Sequence, residues 1–263
     1  MHTYSKDQVA QRRELQPTGR QPSWIALTVG ILLLAGATTL GVVVTSRGAA
    51  STGELEFDVG LSHHRDLLGI ALSESISTLM GPVIGSLLVV AVCIVLWRRH
   101  AGRTAVLLGG LTASGWLASG VLKIVVHRDR PPTDVVNAVL SETASDSFPS
   151  GHTTLVAAAF AAAVVIAWML GRPFRQRLVI AAVGVVAVGV VGAARLYLGV
   201  HYYWDVLGAP LTAIGGVLIA AYLLPRLITF VQRPRSRPSP RPHAAPPSGS
   251  SGWASSGARR GTR

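Results

Sequence analysis

Residues suited to chemistry are concentrated in three short stretches of the sequence, residues 123–131, 149–152 and 194–205. These stretches contain four cations, and among their other residues are Gly151, His152, His201 and Asp205. Cations and the free backbone N–H groups at a helix start bind anions, and a histidine can attack phosphorus or transfer a proton. This set of groups suits chemistry on a phosphate ester.

The second stretch, Pro149-Ser150-Gly151-His152, lies immediately before an apolar segment and predicts a helix start. The glycine lets a phosphate approach the backbone closely, and the serine can donate a hydrogen bond to a phosphate oxygen. The alternative is a purely structural role, in which Ser150 caps the helix.

In the third stretch, His201 and Asp205 are four residues apart and therefore lie on the same face of a helix. A carboxylate that accepts a hydrogen bond from one imidazole nitrogen leaves the other nitrogen as a base or nucleophile. The alternative is a polar pair that stabilises a helix end.

The cations of these stretches are Lys123, Arg128, Arg130 and Arg195, and they lie at or just beyond the ends of apolar segments. The chain has two lysines and 22 arginines, so a lysine at the end of a span is unusual for this sequence. Ionisable groups in such places are costly and mostly functional. A single lysine would be explained by snorkelling towards lipid headgroups, but four cations near two histidines favour a site.

The composition excludes an ordinary soluble protein. The chain has 263 residues, 49% of them hydrophobic and 14% charged, and a formal net charge of +12. Such an excess of positive charge is typical of nucleic-acid binders, but a mean hydropathy of +0.45 leaves too little polar surface for one. We therefore expect a membrane protein with no nucleic-acid partner.

Six apolar segments are long enough to cross a bilayer. They cover residues 24–44, 80–97, 104–126, 153–170, 178–198 and 206–230. The predicted fold is all-α, a bundle of six transmembrane helices. Residues 53–79, where leucines alternate with acidic side chains, are predicted to form an amphipathic segment at the outer interface.

The basic residues predict the orientation of the bundle. Eighteen of the 24 fall in the segments that six alternating spans place on one side, and ten of the 12 acidic residues fall on the other. The positive-inside rule puts both termini in the cytoplasm and the three stretches on the outer face of the cell membrane. The predicted domains are a cytoplasmic segment (1–23), the membrane domain (24–230) and a disordered basic cytoplasmic tail (231–263).

The three stretches resemble the tripartite signature of the type-2 phosphatidic-acid phosphatase superfamily. Its pattern is Lys, six residues, Arg-Pro; then Pro-Ser-Gly-His; then Ser-Arg, five residues, His, three residues, Asp. The first two parts are complete here, and the third departs from the pattern at Ala194, which stands in place of the serine. The resemblance covers residues 80–230 best.

The resemblance implies a phosphatase that needs no metal or other cofactor and forms a phosphohistidine. His201 would be the nucleophile, Asp205 would orient it, and His152 would be the acid and base. The phosphate would be held by Lys123, Arg130, Ser150, Gly151, Arg195 and, as a position often basic in relatives, Arg128. The loss of one hydroxyl at Ala194 costs a neutral hydrogen bond, about 0.5–1.5 kcal/mol, so activity is expected to survive.

The expected substrate is a membrane lipid that carries a phosphate or diphosphate. The excess of arginine over lysine and the alanine-, valine- and glycine-rich spans are typical of a GC-rich bacterial gene. A bacterial source favours a polyprenyl diphosphate, the carrier lipid of cell-wall biogenesis. Phosphatidic acid and phosphatidylglycerol phosphate are the alternatives. Three other classes are open: a transporter, a vanadate-dependent haloperoxidase and a non-catalytic membrane binding protein. The sequence does not predict an oligomeric state.

Overall fold

A computed structural model describes residues 20–142 and 146–231 of the chain, with side chains up to residue 227. In these residues the secondary structure is helical, with no strand. The helices are α1 (Trp24–Arg47), α2 (Glu54–Ser62), α3 (Leu67–Leu79), α4 (Pro82–Arg98), α5 (Gly102–Val126), α6 (Gly151–Met169), α7 (Phe174–Tyr197) and α8 (Tyr203–Val231). The all-α prediction is confirmed.

Five of these helices, α1, α5, α6, α7 and α8, are long and apolar enough to cross a membrane. The sixth span comes from α3 and α4, which pass the same test as a pair and meet at a bend of 49°. The predicted span at residues 80–97 corresponds to α4, the second helix of this pair, which begins at Pro82. Proline fits the first turn of a helix, because the backbone N–H that it lacks has no partner there in any case.

The bundle is built around α8, which packs against α1, α5 and α6. Small residues allow this close approach. A Cβ atom on Gly216 would lie 2.9 Å from the Cα atom of Gly115 in α5, so the two backbones nearly touch. Between helices in lipid, van der Waals contact of this kind replaces the hydrophobic effect as the main source of association.

The described basic residues outside the three motifs are mostly at one end of the bundle. That end contains the starts of α1, α5 and α7 and the ends of α4 and α6, with Arg20, Arg98, Arg99, Arg103, Arg172, Arg175, Arg177 and Arg226. The Arg226 side chain donates to the Pro22 carbonyl, which ties the end of α8 to the start of α1. The predicted N-terminal segment up to residue 19 and the tail from residue 232 lie outside the described residues.

The segment predicted to be amphipathic forms α2 and α3 at the opposite end of the bundle. In α3 the leucines Leu67, Leu68 and Leu72 are exposed and the serines Ser73 and Ser77 are buried. An exposed apolar face suits a helix in contact with lipid, in agreement with the prediction for this half of the segment.

Helix α2 has the reverse pattern, because it buries its acidic residues. Glu54 and Asp58, four residues apart, are fully buried, whereas Phe57 is 47% exposed. Within the described residues, neither oxygen of the Asp58 carboxyl has a hydrogen-bond partner. Burial raises the pKa of Asp58 to about 8, and the nearby carboxylates of Asp205 and Glu54 add to the shift. Asp58 is therefore mostly protonated at neutral pH.

This buried carboxyl predicts a pH-dependent stability. Folding raises the pKa of Asp58 from 3.8 to about 8, so the folded protein holds a proton that the unfolded chain has lost. The stabilising effect of that proton is fully present below the unfolded pKa and is lost as the pH rises through the folded one. The unfolding temperature in detergent should therefore fall as the pH rises from about 4 to about 8. The unfolding temperature of Asp58→Asn should fall less over the same pH range, because the amide does not ionise. Equal falls in the two proteins would contradict this assignment.

Candidate active site

The junction of α7 and α8 buries a histidine against a carboxylate. His201 lies between the two helices and is 1% exposed, and its Nδ1 is 3.4 Å from Oδ2 of Asp205 in the first turn of α8. Burial, together with the positive charges of Arg130 and Arg195, lowers the pKa of His201 to about 3, although Asp205 acts in the opposite direction. The imidazole is therefore neutral at physiological pH, with Nδ1 facing the carboxylate and Nε2 facing Arg130 at 3.3 Å.

Asp205 is fully buried and contacts all three motifs. Its Oδ1 is 2.7 Å from Nη1 of Arg128, and its Oδ2 accepts from the hydroxyl of Ser147 and, at 2.9 Å, from the backbone N–H of Tyr202. Its backbone carbonyl accepts from the N–H of Ser150 at 3.1 Å. These contacts fix the carboxylate, and the carboxylate in turn fixes the face that His201 presents.

The second motif begins α6, as predicted. Ser150 is the fully buried N-cap residue, but its side chain makes no capping hydrogen bond. Its Oγ accepts from Thr153 at 3.1 Å, so the Ser150 hydroxyl hydrogen can be donated elsewhere. A Cβ atom on Gly151 would meet no atom within 4 Å, so the helix start faces open space. This geometry does not support a purely capping role for Ser150.

Two arginines of the first and third motifs share one carboxylate. Glu142 is 2.9 Å from Arg130 and also accepts from Nη2 of Arg195. Burial acts to raise the pKa of Glu142, but the charges of Arg195 and Arg130 outweigh it and hold this pKa below its usual range. Arg195 is 1% exposed, and within the described residues its Nε has no hydrogen-bond partner. The two guanidinium groups thus form a single anion-binding pocket that holds a carboxylate.

A cavity of about 310 Å³ joins these groups. Its polar lining consists of Lys123, Arg130, Glu142, His152 and His201, together with the backbone of Gly151. Its remaining walls are formed by Pro82 of α4 and by Trp116, Leu117, Ser119 and Gly120 of α5. Leu117 is 62% exposed on the lipid-facing side of α5, so the cavity extends from the histidines to the bilayer surface of the bundle.

A second, more polar cavity of about 390 Å³ lies on the other side of the Arg130–Glu142 ion pair. Loop residues line it, among them Asp129, Thr133 and Asp146. Arg130 and Glu142 belong to both cavities, so their ion pair separates an apolar approach to the histidines from a polar one.

All nine residues predicted from the motifs therefore lie at one end of the bundle. Six of them line one of the two cavities, Arg128 the polar one, and the other three, Ser150, Arg195 and Asp205, adjoin residues that do. Arg128 differs in the partners of its side chain. Its guanidinium is 3% exposed and lies between two carboxylates, Asp205 and Glu54, on the side of Asp205 away from His201.

Three polar residues of this region were missed by the sequence analysis: Glu54, Glu142 and Ser147. Each is far from its partner along the chain, Glu54 and Arg128 by 74 residues and Ser147 and Asp205 by 58. One signal was present, since Glu54 and Asp58 have the spacing of one helix face. No group of three or more histidine, cysteine or acidic side chains in the described parts of the chain could hold a metal ion.

Comparison with known proteins supports the resemblance seen in the motifs. Residues 103–233 match the profile of the PAP2 superfamily. Phosphatidylglycerophosphatase B of Bacillus subtilis (strain 168) is 41% identical over 97 residues, which make up 35% of this chain. The chain spans 44% of the length of that relative.

The fold also matches a solved structure, the crystal structure of a transmembrane PAP2 type phosphatidylglycerolphosphate phosphatase from Bacillus subtilis. The TM-score is 0.60 at 22% sequence identity, and the match covers 78% of this chain and 98% of the other. The profile match, which contains the three motifs, places residues 103–233 in the PAP2 superfamily, and the solved structure shares the membrane fold.

Proposed function

We propose that the protein is an integral-membrane lipid phosphatase that works through a phosphohistidine. One observation carries this proposal: a neutral, buried His201 held by Asp205 presents Nε2 beside a cavity lined by Lys123, Arg130 and His152. A nucleophile, a second histidine and an anion pocket are the parts that phosphoryl transfer requires, because its catalysis depends chiefly on positioning and electrostatics. A transporter or a binding protein has no need of this combination.

In the first step, Nε2 of His201 attacks phosphorus and the bond from phosphorus to the lipid oxygen breaks. The imidazole gains positive charge, which the carboxylate of Asp205 stabilises through Nδ1–H. His152, across the same cavity, gives its proton to the departing lipid oxygen. The products of this step are a lipid alcohol, or a lipid monophosphate from a diphosphate, and the phosphohistidine.

In the second step, water attacks the phosphohistidine. His152, now neutral, takes a proton from that water, the bond from phosphorus to Nε2 breaks, and inorganic phosphate is released. His201 returns to its neutral form and His152 to its protonated form, so the cycle is balanced without a metal or another cofactor.

The non-bridging oxygens of the phosphate are assigned to Lys123, Arg130 and Arg195, with the Ser150 hydroxyl and the Gly151 N–H. The carboxylate of Glu142, which bridges the two arginines, supports this assignment because it is an anion already bound there. A phosphate entering the pocket takes the place of that carboxylate. Arg128 faces Asp205 instead, and we assign it to holding that residue rather than to binding phosphate.

The two cavities favour a lipid as the leaving group. The cavity with Trp116 and Leu117 receives the apolar chain from the bilayer, while the polar cavity beyond Arg130 lets water enter and phosphate leave. Of the candidate lipids, phosphatidylglycerol phosphate is placed first because of the named Bacillus relative. A polyprenyl diphosphate, which composition alone favoured, and phosphatidic acid remain the alternatives.

We also propose the orientation given by the charges. With both termini in the cytoplasm, the arginine-rich end of the bundle faces inward and the cavity end faces outward. Residues 24–230 then form the membrane domain, and the segments before and after it are cytoplasmic.

The function is tested by phosphate release in detergent, with EDTA present, from phosphatidylglycerol phosphate, phosphatidic acid and a polyprenyl diphosphate. The wild-type protein should release phosphate, fastest from the first. His201→Ala should lower the rate about a thousandfold or more, because the step that forms the covalent intermediate is lost. His63→Ala is the control, since this histidine is exposed in the loop after α2. Undiminished activity of His201→Ala would exclude the mechanism.

The acid role of His152 predicts a dependence on the leaving group. A nitrophenolate can leave without being protonated, whereas a lipid alkoxide needs a proton to leave. The rate of phosphate release by His152→Ala should therefore fall about a hundredfold or more with the lipid substrate and markedly less with a nitrophenyl phosphate. The ratio of wild-type to variant rates with each substrate measures the effect. Equal losses with both substrates would assign His152 to binding instead.

The orientation is tested by single cysteines in cells, in a background that lacks Cys93. Asp134→Cys, exposed in the loop between α5 and α6, should react with an impermeant thiol reagent added outside. Arg172→Cys, exposed at the other end of the bundle, should react only after permeabilisation. The reverse pattern would invert the topology.

A further inference from the structure

Helix α2 contributes a buried acid to the site from outside the region that matches the family profile. Glu54, the first residue of α2, is fully buried, with 0% of its surface accessible. Its Oε2 is 2.5 Å from Nη2 of Arg128 and accepts from the Thr52 hydroxyl at 2.6 Å. Its Oε1 accepts from the backbone N–H of Trp204 at 3.4 Å. Glu54 is thus fixed directly behind the start of α8.

Arg128 links this acid to the reacting histidine. Its Nη2 contacts Glu54 and its Nη1 contacts Asp205 at 2.7 Å, and Asp205 faces His201. The four side chains are nearly fully buried, with exposures from 0% to 3%, so bulk solvent screens the line Glu54–Arg128–Asp205–His201 only weakly. The stacking of Arg128 on the Tyr202 ring, 4.6 Å from its centroid, fixes the guanidinium further.

The charges along this line explain why a second acid is needed. Arg128 alone would neutralise Asp205, leaving no net negative charge to face an imidazole that becomes positive when it is phosphorylated. With Glu54, the group carries one net negative charge before the reaction and none after it. An uncompensated buried charge is costly, so this balance favours the charged intermediate. The neighbouring Asp58 adds no charge while it is protonated.

We propose that Glu54 is a positioning residue of the active site, which shares Arg128 with Asp205 and so keeps the negative charge of Asp205 available to the phosphorylated His201. This role rests on the proposed phosphohistidine function. It concerns the covalent step and not the binding of phosphate, because the phosphate-binding cations lie on the other side of His201.

The experiment compares Glu54→Gln with Glu56→Gln. The first keeps the shape of the side chain and removes its charge; the second makes the same change on an exposed residue of the same helix. Glu54→Gln should lower kcat about tenfold while KM changes less than about twofold, because the lost stabilisation belongs to the transition state. Glu56→Gln should match the wild type, and Glu54→Asp, which keeps the charge, should lie nearer to the wild type than Glu54→Gln.

Inhibition separates this role from a structural one. Vanadate mimics the five-coordinate state bonded to Nε2, whereas inorganic phosphate is held by the cations alone. Glu54→Gln should weaken inhibition by vanadate about tenfold and leave inhibition by phosphate unchanged. Equal weakening of both, with a lowered unfolding temperature, would show that Glu54 only holds α2 in place and would overturn the proposal.

Two further outcomes distinguish this inference from the function on which it rests. An active wild type with a Glu54→Gln variant indistinguishable from Glu56→Gln would overturn the role of Glu54 alone. A wild type that releases phosphate from none of the three lipids would overturn the proposed function and this inference together.

Discussion

The architecture of the site depends on one buried carboxylate. Asp205 is fully buried, and each of its polar atoms is used: one oxygen binds Arg128 of the first motif, the other faces Ser147 and His201, and its carbonyl holds the N–H of Ser150. A carboxylate without such partners would not remain ionised in an apolar surrounding. The need to satisfy it therefore brings α5, α6 and α8 to a common point.

The cost of burying these charges also explains where the site lies. The helices pack through small residues such as Gly115 and Gly216, which leave little room for long charged side chains in the middle of the bundle. At the helix ends, loops supply backbone carbonyls and further side chains: Arg130 donates to the Val200 carbonyl and Lys123 to that of Asp146. Cations can be kept there because partners are available, and α6 adds the free N–H groups of its first turn.

The spans and the motif residues could be predicted because both are local patterns. A run of apolar residues predicts a span whatever surrounds it, and His201 and Asp205 are close in space because they are four residues apart on one helix. The role of α2 could not be predicted in this way. Its leucines and acids alternate, which indicated a surface helix, yet its acidic face is turned inward. That outcome depends on Arg128, 74 residues further along the chain, whose guanidinium must be neutralised on both sides.

The proposed active site draws on two separate parts of the chain. The groups proposed to bind phosphate lie within residues 123–205, where the motif spacing identifies them. The charge proposed to balance them comes from α2, which carries no motif. Arg128 orients the carboxylate of Asp205 but also neutralises its negative charge. Without a second acid, no net negative charge would remain to stabilise the phosphorylated His201. In this protein the short helix between α1 and α3 provides that acid, which makes α2 part of the active site and not merely its cover.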